Sequence, residues 1–468
     1  MLAIISDLHL TDGSTSTTIH PSAFDLLRQE IEAAARTNGA GKGNVRTVHL
    51  LLLGDIFDLV RTDWWFRRDA SGRENAPWES RPWNGDLDPE TAMNRDSVGV
   101  GRQYDAILRG ILDHPSTKGF IDAIKGLATS DAVPELQITY VIGNHDRALN
   151  NFPGLQQTIQ AALTEEIALK GNKVEFKPSF TDPAYAVAAR HGHEWEDNCH
   201  ARLLLQKVLQ KRRKWDPLDP AINRVQNLGE VITSELMSGL VWRVRQADDP
   251  DLTDIVKHAD LLRPATDVFQ WIEWQARSRK LKKSQKELLA QSLSESIAGV
   301  VDSAFGRLWD RATTDLLVSG DLVDRLELVR SRLRASGYDG LRKCVKLLVL
   351  VSNFASAVAP GKAEDYQGAK EEFKRLDPGI QYLVYGHTHR ARHDHLSGTV
   401  DGRVQMYLNT GTYLPLLETT DDGKGFAQSN QMTLAFFYNR EEDTEDRADK
   451  GPTMALWNGI KRKQYVTR

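Results

Sequence analysis

Five short apolar runs, each closed by side chains able to bind metal, constrain this chain more than any other feature. They cover residues 2–6, 48–53, 138–142, 185–189 and 382–385, and each has the length of a strand. Uninterrupted runs of this kind suit strands covered on both faces. Between the first two, residues 22–35 carry Phe24, Leu27, Ile31 and Ala34 at helical spacing, and the Gly-rich stretch 39–44 follows. Strand, helix, strand is the opening of an α/β layered fold.

A chain of 468 residues exceeds one ordinary domain, so a large insertion or a second domain is expected. The strand pattern disappears after residue 198. Residues 202–214, 221–246, 266–279, 285–309 and 322–333 have helical spacing instead. Strand-like patterns return at 381–385, 404–409, 432–438 and 453–457. Residues 1–198 and 376–468 therefore read as two parts of one α/β core, and 199–375 as a helical insertion or lid. The insertion is basic while the rest of the chain is acidic. A smaller insertion, the loop 60–94, holds Trp64, Trp65, Trp78 and Trp83 in a stretch too polar for a regular element. So much aromatic area is not expected to stand free in water.

Composition narrows the class. With 40% hydrophobic and 26% charged residues the chain is neither disordered nor membrane-like. A net charge of -4 argues against a dedicated polyanion binder. Two cysteines, Cys199 and Cys344, exclude a disulfide framework and a multi-cysteine zinc site. The first run lacks a basic leader and a cleavage site, and no apolar stretch has the length of a membrane span, so a soluble cytoplasmic protein is expected.

The chemistry lies at the ends of the runs. Asp7 and His9 are two apart and leave a strand end on one side. Asp55 follows Gly54, Asn144 and His145 follow Gly143, His191 and His193 flank Gly192, and His387 and His389 follow Gly386. A glycine lets the backbone turn sharply and come close to a site. Each motif alone is ordinary, since capping Asp and buried His residues are common. Their order and shared position at strand ends point to one metal site, on the edge where α/β sheets build sites.

Ser6-Asp7-Leu8-His9, Gly54-Asp55-Ile56-Phe57-Asp58, Gly143-Asn144-His145-Asp146, His191-Gly192-His193 and Gly386-His387-Thr388-His389 together resemble the motif set of the calcineurin-like metallophosphoesterases. Asn409-Thr410-Gly411-Thr412 is similar to the small-residue strand end that follows the last motif in that family. The resemblance implies a four-layer α/β/β/α sandwich of two mixed sheets. It implies that Asp7, His9 and His389 hold one metal, that Asn144, His191 and His387 hold another, and that Asp55 bridges both. His145 would donate a proton to the leaving oxygen and be held by Asp146. Gly-Asp-Ile-Phe-Asp with a helical insertion before the last His pair is closest to the members that cleave UDP-2,3-diacylglucosamine, although this insertion is longer and the Trp-rich loop is additional.

That division agrees with simple chemistry. Two divalent ions about 3.5–4 Å apart acidify a shared water, and one carboxylate between them offsets their repulsion. Nitrogen and oxygen donors suit Mn, Fe or Zn, with Mn favoured. His193 is expected beside the ligands, and His200, His393 and His395 at the surface. Asp58 either orients a ligand or caps the following segment.

Residues 202–214, with Lys207, Lys211, Arg212, Arg213 and Lys214, form a basic amphipathic pattern suited to an anionic membrane, to nucleic acid, or to the solvated side of a lid. Three functions follow: a hydrolase of small phosphorylated substrates, a Mn-dependent nuclease, and a non-catalytic metal-binding scaffold. The scaffold is disfavoured because every expected ligand and His145 are present.

Overall fold

The computed structural model describes the chain apart from residues 42–44, 68–97, 166, 168, 170–172, 207–213, 264–266, 313–321, 359–363, 399–403, 421, 443–451 and 466–468. Trp78, Trp83 and most of the basic stretch 207–214 lie outside the described residues.

The protein is a mixed α/β structure with two mixed sheets. The first contains β1 (Leu2–Ile5), β2 (Thr47–Leu53), β3 (Glu135–Val141) and β4 (Val174–Lys177), all parallel. The second is built from β5 (Phe180–Asp182), β6 (Val187–Ala189), β7 (Tyr382–Tyr385), β8 (Arg392–Gly398) and β9 (Val404–Asn409), in the order β5-β6-β7-β9-β8. Strands β6, β7 and β9 are parallel. The chain then returns to the first sheet through β10 (Pro415–Thr419), β11 (Phe426–Tyr438) and β12 (Thr453–Tyr465). Strand β11 runs antiparallel to β1, β10 and β12.

The apolar runs are continuous because both faces of their strands are covered. From β1, β2 and β3, the side chains of Leu2, Ile4, Leu51, Leu53 and Val141 pack with Val187, Ala189, Val384 and Leu408 of the second sheet. Their alternates Ala3, Ile5, Leu50, Leu52, Ile138 and Tyr140 share a core with the helices. These include α1 (Ser22–Gly41), α2 (Val98–Asp113), α3 (Pro115–Ala128) and α4 (Pro153–Thr164). Helix α1 buries Phe24, Leu27 and Ile31, as its spacing predicts. The outer face of the second sheet, at Leu383, Tyr385 and Tyr407, packs on Tyr366, Ala369 and Phe373 of the helix Glu364–Phe373. Truncating a side chain such as Leu50, which is fully buried, to Ala costs about 2–5 kcal/mol.

Among the described residues, 199–374 hold helices and no strand beyond an isolated bridge from Leu262 to Leu417. Of the expected helix 202–214, Arg202–Leu204 is helical. Leu228–Val231 runs through a π-helical stretch, Ile232–Ser238, into Gly239–Arg245. The expected helix 285–309 is two, Lys283–Val301 and Ala304–Ala312, because Ser303 caps the second by accepting from the Gly306 N–H at 2.8 Å. Leu322–Val358 is interrupted at Gly337, whose φ of 54° and ψ of -139° fall outside any helical conformation. Most of the insertion shares the main core, since Leu240, Trp271, Leu293 and Trp309 belong to the same buried cluster as Leu50 and Phe120, while Ala201, Leu205, Trp215, Ile222 and Val225 form a small cluster of their own. No helix among the described residues is long and apolar enough to cross a membrane.

Candidate metal centre

The five motifs sit at the C-terminal ends of β1, β2, β3, β6 and β7, so strand direction alone brings them to one edge of the two sheets. The loops after β1 and β2 then run side by side. Asp7 and His9 donate their backbone N–H groups to Gly54 and Asp55 carbonyls, at 3.1 and 2.9 Å, and Asp58 donates to the Leu10 carbonyl at 2.9 Å. This pairing fixes Asp7 and His9 beside Asp55. Eight non-glycine residues among those described have positive φ, and five of them are Asp7, His9, Asp55, His387 and His389. Such conformations cost about 1–3 kcal/mol each and persist where the surroundings enforce them.

The glycines of the motifs answer to space. At Gly143 a Cβ would overlap Asp55 Oδ1 and lie 2.7 Å from its backbone nitrogen. At Gly386 it would overlap Asp7 Oδ2. Gly386 is also held from behind, since Asn409 donates to its carbonyl at 2.6 Å and Thr412 donates to the Asp7 carbonyl at 2.6 Å. The small-residue strand end therefore braces two ligand-bearing loops at once.

Two groups of buried donors result. Asp7, His9 and His389 form one, and Asp7, Asp55 and His191 the other, with ligand atoms mutually within 4.8 Å. Asp55 reaches both: its Oδ2 lies 3.7 Å from His9 Nε2 and 3.2 Å from His191 Nε2, while its Oδ1 accepts the His145 backbone N–H at 2.8 Å. Asn144 Oδ1 is 3.2 Å from His191 Nε2. His191 Nδ1 faces the Leu53 carbonyl at 2.9 Å, which leaves Nε2 for the site. His389 Nε2 lies 2.9 Å from His9 Nε2 and 3.6 Å from Asp7 Oδ1. These buried Asp and His clusters could hold metal ions.

His387 is placed differently from the expectation. Its backbone N–H donates to Asp7, but its Nε2 meets Glu196 Oε2 at 2.7 Å, and only its ring approaches His191, at 5.4 Å between centroids. The Asp146 expectation needs correction too. Asp146 accepts from the Tyr140 hydroxyl and the Gly143 N–H at 2.5 Å and from the Ile56 N–H at 3.2 Å, so it braces the β2 and β3 loops. The carboxylate beside the His145 ring is Asp58, whose Oδ2 is 2.9 Å from His145 Nδ1 and 2.7 Å from His9 Nδ1. Asp58 also accepts the Val60 and Arg61 N–H groups through Oδ1, both at 3.0 Å, and so caps the following segment while lying against both rings.

The electrostatics suit a cation. Burial works against the Asp55 carboxylate, yet the charges of His191 and His145 hold it well below the usual range. Burial likewise opposes charge on His191, but Asp55 and Asp7 push its pKa up to about 10. The field that draws a proton to His191 also favours a divalent ion, which competes with that proton. Burial, then the Arg263 guanidinium, hold His389 well below its ordinary value, so it stays neutral as a ligand must. Burial is also the main cause raising Asp146 to about 7, with Asp55 adding to it.

Several residues at the site carried no signal in the sequence. Arg263 places a guanidinium nitrogen 2.8 Å from His389 Nδ1. Buried Arg61 links Asp58, at 3.4 Å, to Asp260, at 3.0 Å. Glu196 could have been suspected only from its closeness to His191. His193 lies beside the ligands, its Nε2 3.3 Å from Asn223 Oδ1, and burial lowers its pKa to about 4. His200, expected at the surface, is 2% exposed, because the chain after His193 folds its ring against that of His193, at 5.8 Å. His393 and His395 are exposed. The chain matches no protein-family model and no curated protein.

Proposed function

We propose that this protein is a metal-dependent phosphoester hydrolase with a dinuclear centre, on a four-layer α/β/β/α sandwich into which residues 199–375 are inserted as a lid. The observation that carries this reading is the convergence of donors from five strand ends on one carboxylate, Asp55, between two groups of buried ligands. The donor set fits Mn, Fe or Zn, since it is all nitrogen and oxygen and carries two buried carboxylates. Asp7, His9 and His389 would hold one ion and His191 and Asn144 the other, with Asp55 shared. His387 would join the second through Nδ1. Bound there, two divalent ions supply Lewis acidity and an acidified water.

The chain's own groups do the rest. Asp58 lies against His145 Nδ1 as an ion-pair contact at 2.9 Å, which leaves Nε2 as the atom that would donate a proton to the leaving oxygen. The His145 side chain is 13% exposed, enough for a substrate to reach it. Burial disfavours its imidazolium, but Asp58 and Asp55 raise its pKa above the ordinary value, so it holds the proton an acid needs near neutral pH.

Chelation should abolish hydrolysis of bis-p-nitrophenyl phosphate and Mn should restore it. No activity with any metal, from a folded protein that still binds two ions, would leave the scaffold reading standing. A panel of mono-, di- and pyrophosphoesters and of single-stranded and duplex nucleic acid then separates the substrate classes. The nuclease reading has one observation in its favour, the exposed Lys280, Lys282 and Lys283 clustered at one turn of the insertion. It requires salt-sensitive nucleic-acid binding that weakens when those three are neutralised.

A further inference from the structure

Besides the two groups just described and a related one of His9, Asp55 and His145, a further group of donors stands nearby, and it alone among the described residues contains sulfur. The ligand atoms of Glu196, Cys199 and His387 lie within 4.8 Å of one another. Glu196 Oε2 is 2.7 Å from His387 Nε2, and Cys199 Sγ lies within 4.8 Å of both. The arrangement is fixed by its backbone. Cys199 donates its N–H to the Glu196 carbonyl at 3.0 Å, and the Gly229 N–H binds the Asn198 carbonyl at 2.8 Å, which pins this turn to the start of the helix Leu228–Val231. All three residues are partly exposed, and 43% of the Glu196 side chain is exposed, so an ion has a way in.

We propose that Glu196, Cys199 and His387 form a separate site for a soft divalent cation of the zinc class, and that its loading inhibits the neighbouring centre. Zinc takes one sulfur, one nitrogen and one oxygen at roughly 2.0–2.3 Å with water in the fourth position, so Glu196 and His387 must open from their hydrogen-bonded 2.7 Å while Cys199 already lies within 4.8 Å of both. Thiolate adds a preference for soft cations such as zinc that the nitrogen and oxygen donors around Asp55 lack, although those donors too rank zinc above manganese. On binding, the Cys199 sulfur forms the bond to the ion as thiolate and its proton goes to solvent. His387 connects the two sites, one ring nitrogen to each. A cation on Nε2 replaces the Glu196 hydrogen bond and pulls the ring from the geometry the other centre requires.

The test uses full-length Mn-loaded protein carrying Cys344→Ser, so that Cys199 is the one thiol. Zinc is added, and bound zinc and manganese are counted after gel filtration. In parallel, the rate at which a maleimide labels Cys199 is followed, and cadmium replaces zinc to read thiolate absorbance. The expected result is one additional zinc per chain with manganese retained, a cadmium–thiolate band, and protection of Cys199 from the maleimide. Cys199→Ala and Cys199→Ser should weaken zinc binding at least about tenfold, as loss of even a ligand's partner does, and leave Mn-supported turnover unchanged while removing its inhibition by zinc. Equal zinc binding with and without the thiol, unchanged maleimide labelling, or zinc that enters only by expelling manganese would each overturn the proposal. The thiol and metal readouts need no hydrolysis, so they decide the matter even if every phosphoester proves inert.

Discussion

Replacing Asp58 by Asn keeps the shape of the side chain and removes its charge. The amide oxygen can still accept from Val60 and Arg61, both now at 3.0 Å, so the turn after β2 should survive. The amide NH2 would instead take the place of Oδ2, which now lies 2.7 Å from His9 Nδ1 and 2.9 Å from His145 Nδ1. A histidine that gives Nε2 to a metal keeps its proton on Nδ1, so at His9 donor would face donor. A hydrogen bond to a charged partner contributes about 1.5–3 kcal/mol, and that amounts to a loss of roughly 10- to 150-fold in metal affinity. The same range, about 10–100-fold, is usual for carboxylates behind a metal-bound histidine.

His145 gives an independent readout of the same substitution. Asp58 is the leading charge that raises its pKa against the opposing effect of burial. A general acid acts below its pKa and is lost as pH rises through it, so removing Asp58 should move the alkaline limb of the rate profile to lower pH. Manganese titration followed calorimetrically, with turnover measured from pH 5 to 10 at saturating metal, reads both effects. A variant with manganese affinity within twofold of the parent and an unmoved alkaline limb would refute the argument.

Three further outcomes are expected. His145→Ala should keep its full metal content and lose about 10²–10⁴-fold in turnover on an alkyl phosphoester, with a smaller loss on a p-nitrophenyl ester that needs no proton; equal losses on both would rule out the acid role. Gly143→Ala should lose metal because its Cβ collides with Asp55, whereas Gly154→Ala, with nothing within 4 Å, should bind metal normally; atomic absorption on the two folded variants compares them. Arg147→Ala should cost about 3–5 kcal/mol in urea unfolding, since it strands buried Glu230, and a change under 1 kcal/mol would show that the pair contributes nothing.

The candidate ligands were legible because strand ends leave a local signature. An apolar run, a glycine and a donor can be read within six residues, and strand direction then gathers the donors at one edge. The partners of those ligands left no such trace. Arg263 and His389 are 126 positions apart, and Arg61 and Asp260 are joined only by the way the insertion returns to the sheet. Asp146 illustrates the limit within a motif. It follows His145 directly, which made it the natural partner, yet the turn after β3 sends its carboxylate back to Tyr140 and Gly143. His200 stands near Asp197, Asn198 and Arg202, and this polar company hid a buried ring.

The insertion cannot be an independent cover for a finished centre. Asp260 pairs with Arg61, Arg61 with Asp58, and Asp58 holds His9 and His145. Arg263 touches His389, and Glu230 neutralises Arg147, which immediately follows the His145-Asp146 pair. Two of these links, Asp260 with Arg61 and Glu230 with Arg147, are buried charges facing one another across the boundary between core and insertion, and a buried charge left without its partner is strongly destabilising. The helices proposed to choose the substrate are thus also the helices that hold the candidate metal-binding histidines in register. Evolution of this insertion toward a new substrate is therefore constrained by the chemistry beneath it. Exchange at exposed positions such as Lys282 is free, whereas exchange at Asp260, Arg263 or Glu230 changes the centre itself.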